Sequence, residues 1–312
     1  MCGYMVTVDA VVVTFNRLDL LKRALDSYDS QTSPFRNLIV VDNCSSDGTY
    51  EFLEEWKQLP HCYNCIVYHS PENLGGAGGF AYGQSKAIEL DADWVFVADD
   101  DAILTDSLFE KFYAFCESRD TSELSAICSS VMAPSGRICY AHRARWYLRA
   151  GRYYERKLSV AEDYSKESFS IDFLSYVGSF LSCRAMRQVG IADSDFFIFY
   201  DDSEHSFRLK EYGEIICVPG LVVIHEGETE VIKEWDLSWR DYYTIRNSYR
   251  MLLKNMPAFV VIRMVLSFLL LRGRNISDDK RYLKIYRIAV RDAIMGKMGK
   301  DRKYQPGWMP DF

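Results

Sequence analysis

The sequence predicts an α/β protein, with a mostly parallel sheet flanked by helices and a mostly helical C-terminal extension. Apolar runs typical of buried strands alternate with stretches of helical periodicity between residues 9 and 101. Polar residues follow directly after these strands, and beyond residue 236 the pattern is mostly helical. Because a strand–helix–strand alternation needs crossover connections, we expect parallel strands with helices on both faces of the sheet.

The first four strands alternate with helices. The strands are expected at 9–15, 37–43, 65–69 and 93–101. Leucines recur at helical spacing from Leu18, and Ser and Asp residues are candidate caps for a helix over 45–56. The glycine-rich segment 73–80, NLGGAGGF, is expected to be a loop leading into a helix that ends near Glu89.

The second half contains shorter elements. We expect a helix at 106–117, a strand at 124–132, short strands around 171–175, 179–183 and 196–200, a helix from 202 to about 212, and a strand at 214–225. The main domain is expected at 1–235 and a helical, basic extension at 236–312. The basic and aromatic stretch 134–157 is compatible with stacking on sugar rings, with contact to a lipid diphosphate, or with an ordinary solvated surface.

The composition is that of a globular protein. Of the 312 residues, 48% are hydrophobic and 14% aromatic, which is enough for a sizeable core and excludes a disordered chain. The N-terminal sequence lacks the charged, apolar and small-residue order of a signal peptide. Nine cysteines at scattered spacings indicate reduced thiols in the cytoplasm. An acidic pI near 5.4 argues against a nucleic-acid partner.

Charge is distributed unevenly along the chain. Residues 263–303 contain 12 Lys or Arg and 4 Asp, a local charge of +8, against −7 for the whole sequence. The apolar segment 257–271 is interrupted by Arg263 and is too short for a comfortable membrane span. Two interpretations stay open: a core helix packed on the main domain, or a helix that docks with the basic tail on an anionic membrane surface.

The polar segments that follow the four strands are expected to meet. They are Asn16-Arg17, Asp42-Asn43, 73–79 and Asp99–Asp101. The carboxyl ends of parallel strands lie at one edge of a sheet, and ligands of such sheets bind there. We therefore expect a binding site at this edge.

Three adjacent carboxylates, Asp99, Asp100 and Asp101, end the fourth strand. Like charges repel one another, and acids are rarely buried unless they are paired or bound to a cation. Alternate residues of an extended chain point the same way, so Asp99 and Asp101 are placed to share Mg²⁺ or Mn²⁺ while Asp100 faces elsewhere. A solvated turn with helix-capping acids is the alternative.

The glycine-rich segment admits a rival interpretation. Gly76, Gly78 and Ala81 approximate the dinucleotide fingerprint, with Asp99 18 residues beyond, and would indicate an NAD-dependent oxidoreductase. That fingerprint belongs to the first strand–helix turn, whereas this segment follows the third strand. Glycines also permit a close approach of the backbone to a nucleotide or sugar.

The order and spacing of four motifs in the first half resemble those of inverting family 2 glycosyltransferases with the GT-A fold. These motifs are VVVTFNR, IVVDNCSSDGT, NLGGAGGF and VADDDAIL. The second half is similar to bacterial galactofuranosyltransferases of cell-surface polysaccharides. It contains FFIFYDDSEHSFRLKEYG, VPGLVVIHEG and WRDYYTIRNSYRML. The resemblance covers roughly residues 8–255.

The resemblance implies roles for specific residues. Asp99, Asp101 and His225 would bind Mn²⁺ or Mg²⁺ at the donor diphosphate. Asp202 would be the general base, with Asp201 as its neighbour. The nucleotide would be held by Thr14, Asn16, Arg17, Asp42, Asn73 and Asp100. The donor sugar would lie along Gly75, Gly76, Gly78 and Gly79.

Two of these assignments allow another interpretation from the residues alone. Asp201 and Asp202 follow the apolar FFIFY, so burial and a like-charged neighbour would raise one pKa, which suits a base. Acids at a helix N-terminus also complement the helix dipole without any catalytic role. His225 is equally compatible with an ordinary histidine at a strand end. His205, which follows Glu204, has no assigned role.

The activity implied by the resemblance is transfer of galactofuranose from UDP-galactofuranose, with inversion at the anomeric carbon. The acceptor would be a lipid-linked or oligosaccharide hydroxyl. The protein would be cytoplasmic, in peripheral contact with the inner face of the cell membrane. A transferase of the same fold that uses another nucleotide sugar, notably dTDP-rhamnose, is the nearest alternative. A catalytically inactive assembly protein is the alternative outside enzymes.

Overall fold

A computed structural model describes residues 6–149, 153–227, 237–271 and 279–308. The strands are β1 (Val8–Thr14), β2 (Asn37–Asp42), β3 (Asn64–His69), β4 (Trp94–Asp99), β5 (Ala102–Leu104), β6 (Leu124–Met132), β7 (Arg143–Arg149), β8 (Tyr153–Leu158), β9 (Phe169–Ile171), β10 (Phe173–Leu174), β11 (Ser179–Ser182) and β12 (Glu214–His225). The helices are α1 (Leu18–Asp29), α2 (Thr49–Trp56), α3 (Gly75–Glu89), α4 (Leu108–Glu117), α5 (Cys183–Val189), α6 (Asp201–Tyr212), α7 (Trp239–Asn255), α8 (Ala258–Leu271) and α9 (Lys280–Ile294).

The main sheet has the strand order β3-β2-β1-β4-β11-β6-β12-β5, and β9 pairs with β12. Each pairing among the first four strands is parallel. β11 then runs antiparallel between β4 and β6, and β12 is parallel to β6. The predicted α/β class, with helices flanking the sheet and a helical C-terminal region, is confirmed. The second half of the sheet contains both parallel and antiparallel strand pairs.

The core lies on both faces of this sheet. Along β1, Val8, Ala10 and Val12 belong to one buried apolar cluster, while Val11 and Val13 belong to the other. All seven residues of β1 are buried. This period of two, with apolar residues on both faces, is what a continuous run of β-branched residues predicts for a central parallel strand.

The carboxyl ends of the first four strands are aligned. Asp42 pairs in register with Thr14 on one side and with His69 on the other. Asp99 pairs with Val13, one residue before the end of β1. The polar segments that follow these strands therefore emerge at one edge of the sheet, as the sequence predicts.

Two sequence expectations about local structure are wrong. The segment 73–80 is a loop only as far as Leu74, because α3 begins at Gly75. Residues 196–200 do not form a strand: a 3₁₀ turn covers Ser194–Phe196, and the following backbone takes positive φ angles. The basic stretch 134–157 includes most of a second, three-stranded sheet with the order β10-β7-β8.

One basic residue of that stretch is not on the surface. Arg143 is fully buried, and its guanidinium donates hydrogen bonds to the backbone carbonyls of Ser129, Val177 and Gly178, among others. A guanidinium presents five donors, so a set of convergent carbonyls can satisfy it in the interior. Arg143 thus joins the second sheet to the first and is not available to a sugar or diphosphate.

Helices α7 and α9 pack together, and α7 contacts the main domain. Tyr242 and Tyr243 of α7 form a buried apolar cluster with Ile285 and Tyr286 of α9. Lys254 of α7 forms an ion pair of 2.8 Å with the buried Glu204 of α6. The expected domain boundary between 235 and 236 falls in 228–236, outside the described residues. Within the described ranges, no helix is long and apolar enough to span a bilayer.

Candidate active site

The acid cluster lies where β4 ends and the chain turns into β5. Asp100 accepts a hydrogen bond of 2.7 Å from the Thr14 hydroxyl at the end of β1. One guanidinium nitrogen of Arg17 donates to both Asp100, at 3.2 Å, and Asp101, at 3.0 Å. Asp100 therefore faces β1, and Arg17, whose side chain is 46% exposed, supplies part of the positive charge that the cluster needs.

Asp99 and Asp101 face a different partner, His225 at the end of β12. Each of the three offers one ligand atom, and these atoms lie within 4.8 Å of one another. Two carboxylate oxygens and an imidazole nitrogen are donors that suit Mn²⁺ or Mg²⁺. A Cβ added to Gly227 would lie 2.6 Å from Oδ2 of Asp101, so a glycine keeps the space beside this carboxylate open. The residues present fit a divalent cation.

The electrostatics of the cluster favour a cation. Burial raises the pKa of Asp99 to about 7, and the charge of Asp101 adds to the rise. Burial also raises the pKa of Asp100 to about 6, against the opposing effects of Arg17 and Thr14. Burial opposes ionisation of Asp101 too, but the hydrogen bond and charge of His225 hold its pKa below the ordinary value. Additional positive charge would relieve the repulsion that remains.

A cavity of about 370 Å³ opens beside the acids. Several predicted nucleotide-binding residues line it, namely Thr14, Asn16, Arg17, Asn73 and Asp100, together with the predicted metal ligand Asp99. The start of α3 forms another part of the wall, and a helix N-terminus attracts anions such as a diphosphate. A larger groove of about 680 Å³, between α4 and residues 218–221, contains none of the predicted site residues.

Asp42 is not part of this wall. Its carboxylate accepts a hydrogen bond from the Ser45 N–H and lies 2.9 Å from Nδ1 of His69. Its neighbour Asn43 does line the cavity, and the Asn43 amide donates a hydrogen bond of 2.8 Å to the carbonyl of Gly75. The sequence prediction left Asn43 out, although it lies in the polar segment that ends β2.

The four glycines predicted to face the donor sugar divide into two groups. Gly75 and Gly76 line the cavity. Gly79 instead packs against β1, since a Cβ there would lie 2.5 Å from Val13, and a Cβ at Gly78 would meet Leu74. Gly75 also has φ +72°, and its Cα faces the carbonyl of Phe197. The glycines thus let α3 approach both β1 and the segment before α6.

That segment carries the acid pair Asp201-Asp202 at the start of α6. φ is +65° at Phe197, +66° at Phe199 and +67° at Tyr200, a conformation that aromatic residues rarely adopt. Each such residue costs roughly 1–3 kcal/mol and persists only where its surroundings hold it. Phe197 and Ile198 also line the cavity, so this strained segment joins the cavity wall to the acids.

The two acids of the pair have different environments. Asp201 is only 7% exposed, whereas Asp202 is half-buried. Burial, with the charges of Asp202 and Asp99, raises the pKa of Asp201 well above its ordinary value. A neighbouring carboxylate disfavours ionisation of a buried one, so Asp201 ionises less readily than an ordinary aspartate.

His205 is a buried residue whose two ring nitrogens both have hydrogen-bond partners within the protein. It is fully buried, and its Nδ1 accepts a hydrogen bond of 2.7 Å from the Tyr176 hydroxyl. Because the Gly190 carbonyl, 3.0 Å from Nε2, can only accept, Nε2 carries the ring proton. Burial lowers the pKa of His205 to about 3, so the ring is neutral. It ties α6 to the chain before it.

The C-terminal extension contributes to the cavity, which the sequence prediction did not anticipate. The cavity is also lined by Trp239 and Arg240 at the start of α7 and by Pro306. The spacing of the WRD motif does not indicate which side of α7 faces the cavity.

The chain is similar in sequence to a described family and to curated proteins. The family model described as Glycosyl transferase family 2 matches residues 9–173. Galactofuranosyltransferase GlfT1 of Mycolicibacterium smegmatis is 33% identical over 210 residues, and the chain spans 65% of that relative's length, slightly less than two thirds. The match covers 65% of this chain. dTDP-rhamnosyl transferase RfbF of Shigella flexneri is 28% identical over 305 residues, covering 94% of this chain and 97% of the relative.

A solved structure supports the fold. GalNAc-T7 with UDP, GalNAc and Mn²⁺ superposes with a TM-score of 0.62 at 14% identity, over 94% of this chain and 56% of that chain. The expected GT-A fold is therefore confirmed.

Proposed function

We propose that this chain, which belongs to glycosyltransferase family 2, transfers a sugar from a nucleotide sugar. Its donor is UDP-galactofuranose, and its acceptor is a hydroxyl of a surface glycan. One observation carries the proposed site: Asp99, Asp101 and His225 bring their ligand atoms within 4.8 Å of one another beside the cavity. The similarity to a galactofuranosyltransferase supports the donor, and the similarity to a rhamnosyltransferase keeps dTDP-rhamnose as the alternative.

The proposed chemistry is a direct displacement. Asp202 accepts the proton of the acceptor hydroxyl while the hydroxyl oxygen attacks the anomeric carbon. The bond between that carbon and the diphosphate oxygen breaks, UDP leaves, and the configuration inverts. A divalent cation held by Asp99, Asp101 and His225 would neutralise the charge on the leaving diphosphate. Arg17 and the N-terminus of α3 are placed to bind the same phosphates.

Release of nucleotide from a panel of nucleotide sugars tests the donor. We expect UDP release from UDP-galactofuranose in the presence of Mn²⁺ and of membrane glycolipid as a crude acceptor, and none with chelator. Release from dTDP-rhamnose instead would replace the donor but keep the site. If the protein bound NAD and released no nucleotide from any donor, the oxidoreductase interpretation of the glycine-rich segment would return.

We also propose that the C-terminal helices contact a membrane surface peripherally. Phe259, Ile262, Leu266 and Leu269 of α8 are each at least 50% exposed and share one face of the helix. A row of exposed basic residues runs along α9, namely Lys280, Lys284, Arg287 and Arg291. Leu269, Arg287 and Arg291 line one groove, so the apolar and basic surfaces adjoin. An apolar face beside basic residues suits an anionic bilayer.

Vesicle binding tests this contact. Replacing Ile262 and Leu266 by Ser should weaken sedimentation with phosphatidylglycerol-containing vesicles at least about tenfold, since each large apolar side chain contributes roughly 1.5–3 kcal/mol when buried. Leu59, which is 58% exposed elsewhere on the surface, provides the control variant Leu59→Ser. Equal vesicle binding by all three proteins would rule out α8 as the contact.

A further inference from the structure

The strained segment before α6 is held by one side chain of α7. The amide nitrogen of Asn247 lies 2.8 Å from the carbonyl oxygen of Phe196, 2.7 Å from that of Ile198 and 3.0 Å from that of Phe199. An amide has two hydrogens, so three carbonyls share them. These carbonyls belong to the stretch where φ turns positive.

Arg246 fixes the orientation of that amide. Its Nε donates a hydrogen bond of 2.9 Å to Oδ1 of Asn247, so the nitrogen end must face the segment. Another of its nitrogens lies 3.2 Å from the Phe196 carbonyl, and a third donates to the Gly299 carbonyl at 2.7 Å. Arg246 is 1% exposed and Asn247 is not exposed at all. A buried N–H group without an acceptor lowers the stability of the fold. The buried N–H groups of Arg246 and Asn247 therefore favour the backbone position in which their acceptor carbonyls are within reach.

The segment held in this way connects the two parts of the site. Its Phe197 carbonyl accepts a hydrogen bond of 3.1 Å from the N–H of Ala77, in the first turn of α3. Its last residue, Tyr200, accepts from the N–H of Glu204 and so begins the helix that carries Asp202. The position of Asp202 relative to the cavity therefore depends on the backbone that Asn247 binds.

We propose that Asn247, oriented by Arg246, is the positioning residue that places Asp202 for glycosyl transfer. Asn247 is not part of the cavity wall and acts through the backbone of residues 196–200. The inference rests on the proposed function, because it takes Asp202 to be the base. The proposal also gives a role to Arg246 and Asn247, the Arg-Asn pair of the WRDYYTIRNSYRML motif. That role is separate from membrane contact and from acceptor binding.

The test replaces the donor group and keeps the size of the side chain. In Asn247→Asp a carboxylate replaces the amide and repels the three carbonyls. We expect kcat to fall at least about 100-fold, while KM for the donor and Kd for UDP with Mn²⁺ stay within about threefold, since misplacement of a reacting group affects mainly the chemical step. Amide hydrogen exchange in a peptide covering residues 196–204 should accelerate at least tenfold, with β1–β4 unchanged.

The control variant is Asn255→Asp, on the same helix. The Asn255 amide donates to the Met251 carbonyl within α7 and does not touch the strained segment. If Asn247→Asp does not fold, Arg246→Lys decides, because it keeps the charge but loses the fixed orientation; we expect a smaller fall in kcat and faster exchange at 196–204.

Three outcomes would overturn the inference. They are a kcat for Asn247→Asp within threefold of wild type, unchanged exchange at 196–204, or a fall in UDP affinity as large as the fall in kcat. Asp202→Asn, assayed in parallel, distinguishes failure of the positioning role of Asn247 from failure of the proposed function. If Asp202→Asn remains active, the base assignment fails whatever Asn247 does, whereas the exchange measurement still reports on the segment.

Discussion

Replacement of Asp202 by Asn is expected to lower the rate of glycosyl transfer by about 10²–10⁴-fold, the usual contribution of a general base. The affinity for UDP in the presence of Mn²⁺ should change by less than about threefold, because the pair at the start of α6 does not include the proposed ligands of the metal. The measurement is UDP release with donor and acceptor, together with UDP binding by calorimetry.

The choice of Asp202 over Asp201 follows from their surroundings. Asp201 is buried, and the charges of Asp202 and Asp99 join burial in raising its pKa. Only an ionised carboxylate can accept a proton from an acceptor hydroxyl, and a raised pKa makes Asp201 harder to ionise. Asp202 is half-buried and more exposed than Asp201, so it is the better candidate for the base. Asp201→Asn should therefore retain more activity than Asp202→Asn, since the amide replaces the acid whose ionisation burial disfavours.

Glu211, exposed at the other end of α6, gives the control variant Glu211→Gln, which should behave as wild type. An inactive Asp201→Asn beside an active Asp202→Asn would exchange the two roles. Full activity in both variants would show that neither acid is the base. Loss of UDP binding in a folded Asp202→Asn would show that this residue belongs to the donor site.

The sequence was sufficient for the parallel half of the sheet because the signals there are local. β1 and β4 are runs of β-branched and aromatic residues, and their ends carry the polar residues that meet at one edge. Side chains alternate in direction along an extended chain, so Asp99 and Asp101 point to the same side and Asp100 points to the other. These are properties of short segments and need no knowledge of distant contacts.

The parts that the sequence missed depend on distant partners. The apolar FFIFY is typical of a strand, but Phe199 and Tyr200 take positive φ angles. The carbonyls of Ile198 and Phe199 are bound by Asn247, on another helix, which local sequence does not indicate. Gly79 was expected in a loop, but it lies in α3, where Gly79 and Gly83 let the helix pack on Val13 and Val11 of β1. Local propensity is a weak guide wherever tertiary contacts supply the compensating interactions.

The metal site can be tested independently of activity. Asp101→Asn is expected to weaken Mn²⁺-dependent UDP binding at least about 100-fold, more than the 10–100-fold typical of outer-shell partners, because a carboxylate proposed to bind the metal directly is lost. UDP binding without metal should change little, since Asp100 keeps its hydrogen bond from Thr14 and its contact with Arg17. Mn²⁺ titrations followed by electron paramagnetic resonance, with and without UDP, separate the affinity for the metal from the affinity for UDP.

A second variant probes the same site without removing a ligand. In Gly227→Ala the new methyl group would lie 2.6 Å from Oδ2 of Asp101 and 3.3 Å from Nε2 of His225, so it crowds the space where the cation would lie. We expect Mn²⁺ affinity to fall in this variant as well, and to stay unchanged in Asp106→Asn, an exposed acid just beyond β5. If Mn²⁺ bound equally to the wild type and to all of these variants, the carboxylates of the acid cluster would instead be partners of Arg17 and His225 alone. The diphosphate would then have to be neutralised by the guanidinium and the N-terminus of α3 alone.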